Sequence, residues 1–248
     1  MNKIKIVSLG GLNENGKNTY VIEVDNKIFV MDCGLKYAND SMLGIDYIIP
    51  DYSYLVKNRK KIVGIFITHA HPENMGGIKD LSELLPEVKI YCTKYTKKYL
   101  ELDGFNHNLM EVIPYKKINF DNLSVFPISV SHSVPDAVMY VINTKDGAIV
   151  YTGDFIIDPS MSGKYNMDIG KIAYIGKQGV LCLLSDSAFS ERLGHTSPNH
   201  RLTDFFRDSI NRSEGRVIFT VLPIHLFTIE EIFEAAKLTR RKVVVMGK

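Results

Sequence analysis

Apolar residues recur along this chain at two spacings, one suited to strands and one to helices. Residues 3–8, 19–24 and 27–31 alternate or run apolar over strand length, and Asp25-Asn26 between the last two supplies a tight hairpin turn. Residues 13–18, next to Gly10 and Gly11, form a loop. After an irregular stretch at 44–51, the β-branched run 62–67 predicts a strand buried on both faces. The spacing of Ile78, Leu81, Leu84 and Leu85 is then helical. Further strands are expected at 88–92, 123–130, 137–143, 148–151 and 180–184, with Lys145-Asp146-Gly147 turning a second hairpin. A short helix at 94–102 runs from Thr93, its expected N-cap, to Asp103-Gly104. Beyond residue 202 the order becomes helix, strand (216–222), helix (229–238) and strand (242–246), a βαβ unit. The polar stretch 194–200 ahead of it is the expected domain boundary.

Polar chemistry concentrates at the strand ends. Asp32, His69, His71, His132 and Asp154 each lie at or just past the C-terminal end of an expected strand. A packed sheet brings such ends together, so residues far apart in sequence can meet at one point. Three imidazoles and a carboxylate meeting there would suit zinc, which takes these ligands at ~2.0 to 2.2 Å. The other histidines, His107, His195, His200 and His225, read as isolated polar residues.

Composition adds limits. The 248 residues are 45% hydrophobic and 23% charged, with a formal net charge of +2. That balance excludes a polybasic nucleic-acid arm but leaves room for a local basic groove. The short basic clusters (Lys57 with Arg59 to Lys61, Lys94 with Lys97 and Lys98, Arg240 to Lys242) read as solvated surface. No apolar run is long enough for a membrane span, and residues 1–7 alternate lysine with isoleucine rather than forming a secretory signal. Cys33, Cys92 and Cys182 are widely spaced within apolar runs, as expected of small buried residues in a reduced, cytoplasmic protein.

The wording around the two close histidines is more specific. Thr68-His69-Ala70-His71-Pro72-Glu73-Asn74-Met75-Gly76-Gly77 resembles the His-X-His-X-Asp-His signature of the metallo-β-lactamase superfamily, and within it the ribonuclease J family. Further matching phrases are Gly10 to Asn18, Asp32-Cys33-Gly34-Leu35, Gly44-Ile45-Asp46 to Asp51, Ser131-His132-Ser133-Val134-Pro135-Asp136, Tyr151-Thr152-Gly153-Asp154-Phe155 and Ser185-Asp186-Ser187. The resemblance implies an α/β fold, the four-layer αββα sandwich of the metallo-β-lactamase fold, over residues 1–197. The start of a β-CASP α/β domain would follow over 198–248, so that the chain would stop within that inserted domain. It implies zinc held by His69, His71, His132 and Asp154, with Glu73 toward a second metal. Glu73, Asp154 and Asp186 would be the catalytic carboxylates. Asp32 would lie behind the ligands, accepting the outer ring N–H of a histidine. The implied activity is endo- and 5′-exonucleolytic hydrolysis of RNA by a cytoplasmic homo-oligomer, or by a hetero-oligomer with a ribonuclease J paralogue.

Two departures qualify this. Where the family has aspartate then histidine, this chain has Glu73 then Asn74. The extra methylene of Glu73 moves its carboxylate by ~1.5 Å, and an amide oxygen is a poorer zinc ligand than imidazole, better suited to harder cations. One zinc site is thus complete and the second impaired. The polar phrase expected after strand 216–222 is also replaced by Val221-Leu222-Pro223-Ile224-His225-Leu226-Phe227, an apolar turn expected to pack on protein. Both departures resemble ribonuclease J paralogues with degenerate metal motifs. The expected activity is therefore attenuated, and the alternative is a non-catalytic RNA-binding or scaffolding subunit paired with an active ribonuclease J.

Overall fold

A computed structural model describes residues 1–195, 199 and 201–246. The first three strands, β1 (Ile4–Gly10), β2 (Thr19–Val24) and β3 (Lys27–Met31), form an antiparallel meander. A small hairpin, β4 (Lys36–Tyr37) with β5 (Tyr47–Ile48), stands apart from it. Then β6 (Ile62–Phe66), β7 (Ile90–Thr93) and β8 (Leu109–Val112) extend the meander in parallel, giving the order β1-β2-β3-β6-β7-β8. A second sheet holds β9 (Ile118–Phe120), β10 (Leu123–Ser129), β11 (Val138–Thr144), β12 (Gly147–Tyr151) and β13 (Val180–Leu184), in the order β13-β12-β11-β10-β9. The helices are α1 (Ser53–Lys57), α2 (Pro72–Met75), α3 (Ile78–Leu84), α4 (Lys94–Leu102), α5 (Ile169–Gln178), α6 (Thr203–Asn211) and α7 (Leu226–Leu238).

The two-residue period of the strands sorts side chains into layers. Ile28 and Val30 of β3, with Ile65 of β6 and the adjoining Ile67, face outward onto Leu55, Ile78, Leu81 and Leu100 of the first helical layer. Their neighbours Phe29, Met31 and Phe66 face inward against Val125, Tyr140, Ile142 and Ile149 of the second sheet. On the far side, Met139, Val141 and Val150 pack on Ile172 and Ile175 of α5. The layers run helix, sheet, sheet, helix, as expected.

Between the sheets, Phe66 stacks on Tyr91 with ring centroids 4.7 Å apart and meets Tyr140 edge-on at 5.6 Å. The buried Tyr140 hydroxyl donates to the Ile67 carbonyl at 2.9 Å, just before the chain leaves β6 for the histidine motif. Tyr140→Phe would strand that carbonyl, and we expect a loss of about 1 to 2 kcal/mol in urea unfolding.

Several elements differ from expectation. Helix α5 was not expected, because Gly170 and Gly176 dilute its apolar spacing; the Asp168 side chain caps it by accepting from Lys171 N–H at 2.8 Å. Helix α7 begins three residues before the expected start. The strands expected at 216–222 and 242–246 are absent, so no βαβ unit forms there. Neither run finds a ladder partner among the described residues, and Ile218 and Val244 remain 87% and 83% exposed. A strand is stable only when its backbone groups pair. Here α6 and α7 pack on each other through Phe206, Ile210 and Ala235, while buried Glu231 accepts from Leu202 N–H at 3.0 Å and Thr203 Oγ1 at 2.9 Å at the α6 N-terminus. The boundary expected at 197 and 198 falls outside the described residues. Cys33 and Cys92 are buried, and Cys182 is half-buried.

Candidate metal centre

Four strand ends converge on one point. β3 and β6 run parallel, so Asp32 follows β3 beside the exit of β6, with Asp32 N–H bonded to the Phe66 carbonyl at 2.9 Å. His69 and His71 follow β6, and Pro72 then opens α2 at a position where its missing N–H is harmless. In the second sheet β10 and β12 flank β11 antiparallel to it and therefore run in the same direction. Their ends deliver His132 and Asp154. The turn into Asp154 uses Gly153 at φ 57°, where a Cβ would lie 2.7 Å from that of Thr68.

The ligand atoms of His69, His71, His132 and Asp154 all lie within 4.8 Å of one another. His71 Nδ1 is 3.1 Å from both His69 Nε2 and His132 Nε2, and Asp154 Oδ2 is 3.6 Å from His69 Nε2. Burial holds all three imidazoles neutral, pushing His69 well down, His71 to about 4 and His132 to about 3. Burial and the nearby carboxylates of Asp186, Asp32 and Glu73 push Asp154 up to about 7.

The tautomer of His69 follows from its neighbours. Thr68 Oγ1 donates its single proton to Asp32 at 2.9 to 3.0 Å, so toward His69 Nδ1, 2.9 Å away, it acts as acceptor. His69 Nδ1 therefore carries the hydrogen and Nε2 turns a bare lone pair to the centre. That lone pair can accept from His71 Nδ1, 3.1 Å away, or bind a cation. The donor set fits a metal ion.

Asp32 lies behind the ligands but does not touch a histidine, which corrects the expected contact. Its fully buried carboxylate accepts from Thr68 N–H at 2.7 Å, Thr68 Oγ1, Asn74 Nδ2 at 2.8 Å and the Tyr151 hydroxyl at 2.9 Å. Thr68 relays its effect to His69. Burial raises the Asp32 carboxyl to about 6, against the opposing pull of these donors. Thr68 and Tyr151 were missed as site residues. Thr68 directly precedes His69, and strand alternation directs Tyr151 inward, so both signals were present in the sequence.

Glu73 is outside the four-residue cluster, and its Oε2 is buried without a hydrogen-bond partner. Asn74 is fully buried, with its Nδ2 committed to Asp32 and its Oδ1 unpaired. Asp186 is exposed; its Oδ1 accepts from Ala188 N–H at 2.8 Å, and its charge acts on Asp154. The backbone of 72–74 is clamped from outside by Asn18 N–H on the Glu73 carbonyl (3.0 Å), Cys33 N–H on Asn74 (2.7 Å) and Leu35 N–H on Pro72 (3.0 Å). Gly34 permits this approach, since a Cβ there would collide with the Glu73 carbonyl.

The 221–227 turn packs on protein, as expected. Phe227 N–H donates to the Ser133 carbonyl at 3.0 Å, its ring meets Tyr165 edge-on at 5.1 Å, and Lys164 pairs with Glu230 at 2.5 Å. This brings the His225 ring within 6.5 Å of the His71 ring, so His225 is not isolated. His107 Nε2 donates to the Pro86 carbonyl at 2.6 Å on the surface, His195 is exposed, and His200 is outside the described residues.

The layered fold and the histidine-aspartate cluster define one class. Residues 12–161 match the family model of the metallo-beta-lactamase superfamily, and the chain belongs to that superfamily. Within that superfamily it is similar to proteins named ribonuclease J2. It is 41% identical to ribonuclease J2 of Bacillus subtilis and 35% identical to ribonuclease J 2 of Staphylococcus aureus, in each case over 99% of this chain. The chain spans 45% of the length of these relatives. The fold is also similar to the crystal structure of a protein of unknown function from Enterococcus faecalis, with TM-score 0.70 and 17% identity, covering 94% of this chain and 63% of that one. No helix among the described residues is long and apolar enough to cross a membrane.

Proposed function

We propose that the protein is a ribonuclease J-type hydrolase of RNA phosphodiester bonds, zinc-dependent and of attenuated activity. The convergence of His69, His71, His132 and Asp154 supports this reading most directly. When bound, the metal would polarise the phosphodiester and bring the pKa of water near neutrality. His69, His71, His132 and Asp154 would hold it, Asp32 would orient His69 through Thr68, and Glu73 and Asp186 would place carboxylates around the reacting phosphate. Attenuation follows from Asn74, whose amide nitrogen is committed to Asp32, and from the position of Glu73 outside the cluster.

The same two residues favour a second reading, a cytoplasmic subunit that binds RNA or scaffolds an active ribonuclease J paralogue. In either case residues 1–197 would form the metallo-β-lactamase domain and 198–248 the start of a β-CASP domain, with homo- or hetero-oligomers as the working form. A 5′-monophosphorylated RNA supplied with zinc or manganese should be cleaved on the order of 100-fold more slowly than by an active ribonuclease J, and a chelator should abolish cleavage. No turnover with either metal would exclude the enzymatic reading. The subunit reading would then be tested by co-purification with the active paralogue.

A further inference from the structure

Both histidines of the close pair have a hydroxyl behind the nitrogen that faces away from the centre. His69 Nδ1 has Thr68 Oγ1 at 2.9 Å, and His71 Nε2 has Ser133 Oγ at 3.4 Å. The two hydroxyls differ in freedom. Thr68 gives its proton to Asp32 and can only accept from His69, whereas Ser133 Oγ has His71 as its hydrogen-bond partner among the described residues. A serine hydroxyl in that position can donate to Nε2 or accept from it. His71 calls for both, because its Nδ1 lies 3.1 Å from His69 Nε2 and from His132 Nε2. Without a cation, Nδ1 can carry the hydrogen and donate to His69 Nε2, while Nε2 accepts from Ser133. With a cation at the cluster, Nδ1 must be bare, so the hydrogen belongs on Nε2 and Ser133 accepts. We propose that Ser133 is a positioning residue for the metal centre: its hydroxyl holds the outer nitrogen of His71 and supports the tautomer in which Nδ1 is free to bind metal.

The hydroxyl is carried on a loop that main-chain bonds hold at three points. The Ser131 carbonyl accepts from Ile156 N–H at 2.9 Å, the Ser133 carbonyl accepts from Phe227 N–H at 3.0 Å, and Asp136 N–H donates to the Lys164 carbonyl at 2.8 Å. The loop also delivers His132, so one short segment supplies a ligand to the centre and the outer partner of another. A partner on the outer nitrogen of a ligating histidine fixes its tautomer and ring orientation and raises the basicity of the ligating nitrogen. Its loss typically weakens metal affinity about 10- to 100-fold. The separation of 3.4 Å is longer than the usual range of about 2.7 to 3.2 Å, which places the expected effect at the lower end, about 10-fold.

Zinc binding measured by calorimetry, with the imidazole N–H resonances of the zinc-loaded protein followed by NMR, tests this. Ser133→Ala removes the hydroxyl alone and should weaken zinc binding by about 10-fold. In the same variant the His71 Nε2–H should exchange with water faster than in the parent. Ser133→Thr keeps a hydroxyl at the same carbon and should restore both properties. The proposal rests on the metal-binding reading of the cluster, not on RNA cleavage, and titration of the unsubstituted protein reports that reading separately. A parent that binds no zinc refutes both. Equal zinc affinity in the parent and in folded Ser133→Ala, with Nε2–H exchange unchanged, overturns the role of Ser133 alone. So does a loss in Ser133→Ala that Ser133→Thr fails to restore, since the shape of the loop rather than its hydroxyl would then be responsible.

Discussion

Replacing Glu73 and Asn74 together, Glu73→Asp with Asn74→His, is expected to raise the metal content of the protein and its RNA cleavage on the order of 100-fold. The argument is one of position and ligand type. Glu73 lies outside the cluster with an unpartnered Oε2, and Asn74 offers an unpaired amide oxygen where the family signature has an imidazole. A histidine at 74 can keep the bond that Asn74 Nδ2 makes to Asp32 by donating a ring N–H, which leaves its other nitrogen free for metal. Asn74 is fully buried, so the larger ring must be accommodated at a cost of about 1 to 3 kcal/mol. Elemental analysis after dialysis against zinc, with an assay on 5′-monophosphorylated RNA, checks this. Unaltered metal content in a folded double variant would mean that the deficit lies elsewhere, with the 221–227 turn the next place to look.

The second large effect is on stability. Asp32→Ala would leave Thr68 N–H, Thr68 Oγ1, Asn74 Nδ2 and the Tyr151 hydroxyl without their common acceptor in a fully buried place. Each stranded group costs roughly 1 to 3 kcal/mol, less what rearrangement recovers. We expect a loss of at least about 4 kcal/mol in denaturant unfolding, placing this among the most damaging single changes. Metal binding should weaken with it, because Thr68 would be free to turn its hydroxyl proton toward His69. Asp32 also sits at φ 58°, a left-handed conformation that aspartate tolerates better than alanine. A loss below about 1 kcal/mol would mean that water replaces the carboxylate.

The sheets and the histidine-aspartate cluster were legible in the sequence for a common reason. Runs such as 27–31 and 62–67 are buried on both faces, so their apolar content is unmistakable, and the clustered side chains follow directly at their ends. Helix α5 was obscured by glycines, and β8 and β9, four and three residues long, are too short to show a period. The runs at 216–222 and 242–246 mislead in the opposite way. They have strand composition, but pairing is a property of neighbours that local sequence does not contain. The place of Asp32 was readable and its partners were not, since a hydroxyl inserted between carboxylate and imidazole leaves no spacing signature. The approach of His225 to His71 depends on how α7 docks, which periodicity does not specify.

The backbone clamp on residues 72–74 has a consequence for how this family can change over time. Asn18, Cys33 and Leu35 hold those three peptide units through main-chain atoms alone, and Gly34 keeps the gap closed. The path of the main chain through 73 and 74 is thus set largely without their side chains, although Asn74 also donates to Asp32. Mutation can exchange carboxylate length or swap imidazole for amide there, and selection then acts on chemistry with the architecture held nearly constant.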